Sequence, residues 1–351
     1  MLIVRPIEQH DFAGLKQIAI DSGHGFTSLP VDDERLTQKI ASSLNSTQAD
    51  FTKRGEDSYL FVLEDTVTGK IVGTTCIEAS VGLTVPLYHY RVSNCIHHSE
   101  QLNIFKQLQL LSVCNDYTGT TEICTLYLNP DYRKTKSGRL LSKVRFMFMA
   151  DNPERFSDTI IAEMRGVADE QGEPPFWHWL QQNFFSVDFA VADHLVGTGK
   201  KQFIAELMPK YPIYLNTLSE SAQAVVGKVH KNTAPALRLL EKEGFVHRGY
   251  VDLFDAGPTV EARLNQINSV RQSHLAKVNL VDTSELPEPD NELPVYGLCN
   301  QLVEGFRATF TSQIVLTTNQ TDATLKQVSL STDAAAALNV TQDDTLRVLA
   351  L

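Results

Sequence analysis

The chain has 351 residues, 42% of them hydrophobic, and a formal net charge of −11. That length supports about two domains and a small extra module, with the composition of an ordinary soluble globular protein. The acidity argues against nucleic acid as the main partner, because phosphate backbones need a basic face, and no window approaches the roughly 20 apolar residues that span a bilayer.

Met1-Leu2-Ile3-Val4-Arg5 reads as a strand with no long apolar core, so no signal peptide is expected. Cys76, Cys95, Cys114, Cys124 and Cys299 lack C-x-x-C pairing and read as reduced packing thiols of a cytoplasmic protein. After the strand Ile3–Pro6, Phe12, Leu15, Ile18 and Ala19 fall on one helical face. The loop Ser22–Pro30, with glycines, hydroxyls and His24, reads either as a plain turn or as a substrate contact, and Asp32–Leu44 resumes a helix. Tyr59–Glu64 and Ile71–Ile77 form a hairpin across Asp65–Lys70. Tyr88–Ile96 and Gln107–Cys114 add strands or an insertion, and Asn115–Gly119 is a turn.

The centre of the chain is Cys124–Met149. Cys124-Thr125-Leu126-Tyr127-Leu128 suits a half-buried strand, and Asn129-Pro130-Asp131 stops it. Arg133, Lys134, Lys136, Ser137, Gly138 and Arg139 follow, and then Leu140, Leu141, Val144, Phe146 and Phe148 at helical spacing. A strand, a basic turn and a helix start make an anion site, read here as a pyrophosphate cradle. Thr159–Arg165 is a further strand, and a helix runs from Pro175 to about Phe185. Phe203–Lys210 reads as a strand and Ser219–Gly227 as a helix. A second helix carries Ala236, Leu237, Leu239 and Leu240, is capped by Asn232 or Thr233, and ends at Gly244. Ser284–Pro294 is a proline-rich acidic linker before a small β-rich, barrel-like module.

The order strand, Arg133-x-x-x-x-Gly138, helix resembles the acyl-CoA signature of the GNAT N-acyltransferases, with Lys136 standing where a glycine is expected. The resemblance implies an α+β fold: a mixed sheet with flanking helices, in which strands 124–128 and 160–164 splay around a pantetheine arm. The motif around Asn232–Phe245 implies a second GNAT-like half. The expected division is residues 1–200, a second half at 201–283, and the linker with its module at 284–351.

Gly25–Pro30, Cys124–Leu128, Leu141–Ala150, Ala162–Val167, Phe203–Lys210 and Glu241–Phe245 together resemble the arginine N-succinyltransferase family. That resemblance implies succinyl-CoA as donor and co-substrate, L-arginine as acceptor, no permanent cofactor, a backbone contact to the donor at Leu126, and His230 as acid/base. Ornithine or another acyl group remains a variant of the same chemistry, and a non-catalytic acyl-CoA or amino-acid sensor a different class. Acyl transfer needs proton traffic near neutral pH, which suits a histidine. Backbone N–H groups around Leu126 to Leu128 would polarise the thioester carbonyl. A guanidinium acceptor calls for carboxylates, with Asp116, Glu122 and Glu163 as candidates beside His24. His97-His98 has no partner at ligand spacing, so no metal is expected. Homo- and hetero-oligomers are both left open.

Overall fold

A computed structural model describes residues 1–23, 28–133, 136–200, 202–288, 290, 292–318 and 325–351. The strands of the first part are β1 (Leu2–Pro6), β2 (Ser58–Asp65), β3 (Lys70–Glu78), β4 (His89–Ser99), β5 (Ile104–Cys114), β6 (Thr121–Leu128), β7 (Thr159–Glu163), β8 (Ile213–Tyr214), β9 (Val246–Val251) and β10 (Pro258–Arg263). Then come β11 (His274–Leu280), β12 (Tyr296–Cys299), β13 (Ala308–Thr311), β14 (Val315–Thr318), β15 (Lys326–Leu330) and β16 (Thr345–Ala350). Among the described residues they join in one sheet of order β14-β15-β11-β16-β12-β13-β1-β2-β3-β6-β7-β10-β9-β4-β5-β8. The helices are α1 (Phe12–Ser22), α2 (Asp33–Gln48), α3 (Ser137–Asp151), α4 (Pro175–Leu180), α5 (Phe189–Gly197), α6 (Gln202–Leu207), α7 (Glu220–Val225), α8 (Ala234–Glu243), α9 (Asn268–Gln272) and α10 (Thr332–Leu338).

The reason β2 is apolar at nearly every position is that both faces are covered. Leu60 and Val62 pack with Leu15, Ile18, Leu36 and Ile40 of α1 and α2. Tyr59, Phe61 and Leu63 face the other way, among Leu140, Leu141, Val144 and Phe148 of α3. Phe148 sits 5.2 Å from the ring of Phe61 and 5.1 Å from that of Phe306. The α3 helix is therefore wrapped by core on most sides, which its near-continuous apolar sequence requires. The mixed sheet between helices matches the expected GNAT-like architecture.

One expectation is corrected: Phe203–Lys210 lies largely in a helix, α6, because Ile204 and Met208, four apart, share the cluster of Trp177, Phe185 and Leu218. The strands of the region expected as a second half lie in the same sheet as those before them: β10 pairs with β7, and β9 with β10 and β4. β13 meets β1 at Val4↔Ala308, and β11, on the near side of the acidic linker, pairs with β15 and β16. The segments 88–96 and 107–114 are the two arms of one long hairpin, β4–β5.

The turn between β9 and β10 lies hard against the end of β7. A Cβ on Gly257 would lie 2.1 Å from the Met164 carbonyl oxygen, whereas one on Gly138 would meet only Leu128, at 3.5 Å. Gly257→Ala is expected to lower stability by about 1–3 kcal/mol through the forced backbone shift. Gly138→Ala should stay within about 1 kcal/mol of the parent. Urea unfolding midpoints compare the two, and an unaffected Gly257→Ala would contradict the packing described.

Candidate active site

The parallel ladder between β6 and β7 has two rungs, Thr121↔Ile160 and Glu122↔Ile161. Beyond them, among the described residues, β6 continues to Leu128 on the β3 side alone. Its register against β3 slips between Thr74↔Tyr127 and Cys76↔Cys124, so three steps on β6 face two on β3. That bulge holds Thr125 at φ +55°, a costly conformation for a β-branched residue. A bulge bends its strand and re-aims the residues that follow, here Leu126 to Leu128. Among the described residues the edge of β6 away from β3 has no strand beside it at Leu126 to Leu128, and such an edge can pair with an extended amide-bearing ligand.

The basic turn follows directly at the end of that edge. Asn129 accepts a hydrogen bond from the Asp131 N–H at 2.9 Å and starts a short 3-10 turn, Pro130–Tyr132. Arg133 is exposed, and its Nε donates to the Leu128 carbonyl at 3.0 Å, which fixes the base of the side chain beside the strand end. Lys136 is the N-cap of α3, Ser137 is buried, Gly138 half-buried and Arg139 exposed. Lys134 and His24 lie outside the described residues. The first turn of the 15-residue α3 brings N–H groups and a partial positive charge to the same place.

Val229 bridges to Gly166, and the His230 N–H donates to the Arg165 carbonyl at 2.8 Å, so the residue is hung on the continuation of β7. Its Nδ1 accepts from the Asn232 N–H at 3.2 Å. A backbone N–H can only donate, so the neutral ring carries its proton on Nε2. Burial, then the charges of Arg165 and Lys231, hold the imidazole below the ordinary histidine range, which keeps it neutral near pH 7.

Carboxylates gather on the same strand end. Glu163 Oε1 lies 2.8 Å from Nε2 of the fully buried His89. In the β9–β10 turn, Asp255 accepts from the N–H groups of Gly166 at 2.6 Å and Gly257 at 2.7 Å. Asp252 accepts from those of Phe254 at 2.7 Å and Asp255 at 2.9 Å. Burial and the neighbouring Glu163 push the Asp252 carboxyl up, and burial and Asp252 do the same to Asp255. A site that resists holding several anions together gains by receiving a cation. Asp116 is exposed, accepting from the Tyr250 hydroxyl at 2.8 Å with Arg91 Nη1 at 3.5 Å, and Glu122 occupies the last rung of the β6–β7 ladder.

The sequence profile described as arginine N-succinyltransferase beta subunit matches residues 2–269. An arginine N-succinyltransferase of Yersinia enterocolitica is 45% identical over 351 residues, covering 100% of this chain and 98% of that protein. One of Citrobacter koseri is 46% identical over 329 residues, covering 92% and 94%. The solved structure of arginine/ornithine succinyltransferase subunit AI from Pseudomonas aeruginosa is 35% identical and superposes with a TM-score of 0.88 over 100% of this chain and 98% of that one. The chain belongs to the arginine N-succinyltransferase family.

For a member of this family, sequence reasoning missed the surroundings of Glu163. His89 sat in a segment whose periodicity is ambiguous, and Asp252 and Asp255 carried a signal that was available: Asp-x-x-Asp-x-Gly is turn chemistry just before a strand. It also missed that Cys76, Glu78 and Cys124 bring their ligand atoms within 4.8 Å of one another. There Lys39 Nζ lies 2.8 Å from Glu78 Oε1, so an ammonium already supplies the positive charge.

The tautomer and charge of His230 can be measured together. Lys231→Met removes a depressing cation, so the ring pKa is expected to rise toward the ordinary value, read by NMR titration of the His230 ring. The neutral form should show the nitrogen shift of an unprotonated Nδ1. A fall in pKa on removing Lys231, or a protonated Nδ1, would contradict the geometry.

Proposed function

We propose that this chain transfers the succinyl group of succinyl-CoA to the α-amino group of L-arginine. The observation that carries the reading is the convergence, at the ends of the two diverging strands β6 and β7, of a basic helix start, a neutral histidine and a carboxylate group. The diphosphate of the donor would meet Arg133, Lys134, Lys136, Arg139 and the N–H groups at Ser137 and Gly138. Its pantetheine amides would pair with the exposed edge at Leu126 and Leu128, where an N–H also polarises the thioester carbonyl. Glu163, with His24 and Asp116 as further contacts, would receive the guanidinium, and Asp252 stands beside Glu163.

In the step itself the neutral amine attacks the thioester carbonyl carbon, a C–N bond forms, and the C–S bond breaks as the tetrahedral adduct collapses. Being neutral, His230 suits the base role first: it takes the amine proton as the C–N bond forms, and the imidazolium so produced gives that proton to the departing CoA sulfur, which returns the ring to its neutral form. The five cysteines are free thiols, which supports a reducing, cytoplasmic setting. The solved relative is named for ornithine as well as arginine. A shorter cationic side chain would reach the same carboxylates less closely.

The test is thiol release from succinyl-CoA, which is expected to require L-arginine and to fall sharply when acetyl-CoA replaces the donor. Succinyl-CoA bound without turnover would instead mark a sensor. His230→Ala should lower kcat by about 10²-fold or more. Arg133→Gln with Arg139→Gln should raise the donor KM by about 10-fold while kcat changes little, since phosphate contacts are made equally in ground and transition states. Full turnover in His230→Ala would remove the histidine from the mechanism.

A further inference from the structure

We propose that Arg165 is a specificity residue that receives the α-carboxylate of the acceptor, an inference that rests on L-arginine being the acceptor at Glu163. Met164 has its side chain in the core cluster around α3, so Glu163 and Arg165 on either side of it are presented to the opposite face of the strand. The extended chain is held there by the Met164 N–H on the Pro258 carbonyl and by the bridge between Gly166 and Val229. Both Glu163 and Arg165 are half-buried.

A guanidinium taken partly out of water calls for an anion. Among the described residues no carboxylate forms an ion pair with Arg165, although three stand on the same strand end. Those three are engaged otherwise: Glu163 faces His89, and Asp252 and Asp255 accept from backbone N–H groups. The charge of Arg165 reaches the His230 ring instead, and its carbonyl accepts from the His230 N–H at 2.8 Å. The strand end is thus anionic at Glu163 and cationic at Arg165 and Lys231, the polarity of a cationic α-amino acid laid along it.

Both substrates bring a carboxylate, and the position of His230 chooses between them. The ring must reach the attacking amine, and in an α-amino acid that nitrogen and the carboxylate share one carbon. A cation beside His230 therefore meets the α-carboxylate, whereas the distal carboxylate of a succinyl group is held away from the reacting carbonyl by its methylene chain. Residues two apart on one strand face lie about 6.5 Å from each other, roughly the reach of arginine from its carboxylate to its guanidinium. Contacts at both ends, the one at Arg165 able to be bidentate, leave the α-amino group beside the histidine.

L-Argininamide, in which an uncharged amide replaces the α-carboxylate, is the probe. The wild-type chain is expected to prefer L-arginine to it by about 10²-fold in kcat/KM. Arg165→Gln should abolish that preference by losing turnover of L-arginine, with the KM for succinyl-CoA unchanged. A merely structural loss would lower both acceptors alike and keep the ratio. Equal use of the two acceptors by the wild-type chain, or a folded Arg165→Gln variant that keeps the preference, overturns the inference while L-arginine stays the acceptor. Loss of the preference for succinyl-CoA over acetyl-CoA in its place would assign Arg165 to the donor and overturns it as well. If Arg165→Gln fails to fold, the His230 ring decides. Its pKa should be higher with L-arginine bound than with L-argininamide, because the added anion opposes the Arg165 charge, and equal values overturn the assignment. Glu163→Gln separates the two levels: it should weaken both acceptors alike, and unchanged kinetics would remove the acceptor reading itself and the inference with it.

Discussion

Everything in this molecule that bears on chemistry hangs on the place where the parallel ladder between β6 and β7 stops. Two rungs, at Thr121↔Ile160 and Glu122↔Ile161, hold the strands together, and after them each goes its own way. The open edge of β6 at Leu126 to Leu128 is half-buried, and every N–H and C=O left there without a partner away from water costs free energy, so the fold must hold the strand in place. Thr125 is part of that enforcement. At φ +55° it takes up the extra residue of the bulge, and its hydroxyl lies 3.3 Å from the Cys124 thiol rather than in solvent. Local strain of about 1–3 kcal/mol is what such a residue contributes against the fold.

The rest of the core explains how that cost is borne. β3 grips β6 along its other edge, β2 backs β3, and α3 lies across them with Leu140, Leu141, Val144, Phe146, Met147 and Phe148 fully buried. The helix that follows the basic turn is therefore also the most deeply anchored helix in the chain. Lys143 ties it further, its ammonium 2.8 Å from the nearly buried Glu243 at the end of α8. The basic turn set on such a helix cannot drift relative to β6, because the same side chains fix both. Positioning by shared packing is what acyl transfer asks for, since small displacements at the reacting atoms cost large factors in rate.

The parts legible in the sequence were those with local causes. β2, β3, the strand before the basic turn and α3 announce themselves by uninterrupted apolar runs with clear stop signals, and Pro130 and Gly244 end their elements where turn chemistry says they should. What failed had non-local causes. The run at 203–210 is short and apolar, and only packing against Trp177 and Phe185 decides that it is a helix. Nothing in the sequence of β9 and β10 records that their partners are β4 and β7. The site divides the same way. Arg133 to Arg139 and His230 stand in motifs, whereas His89, Glu163, Asp252 and Asp255 meet only through the sheet, from segments more than 160 residues apart along the chain.

Those long-range meetings converge on four consecutive residues, and this gives the proposed reaction its internal logic. Glu163 faces His89 and the Asp252 carboxyl; the Arg165 carbonyl holds the His230 backbone; the Gly166 N–H is bound by Asp255. Met164, between them, is fixed through its N–H to the Pro258 carbonyl. The strand end that would recognise the acceptor's cation is thus the same one that carries the acid/base histidine. Arg165 and the neighbouring Lys231 depress the charge of His230, while burial and mutual repulsion raise the carboxyls of Asp252 and Asp255. A cation entering beside the carboxylates relieves their repulsion without disturbing the histidine's hydrogen bond to Asn232. Binding energy from the remote end of the acceptor would then go into ordering β7, and with it His230, rather than into holding the reacting amine too tightly.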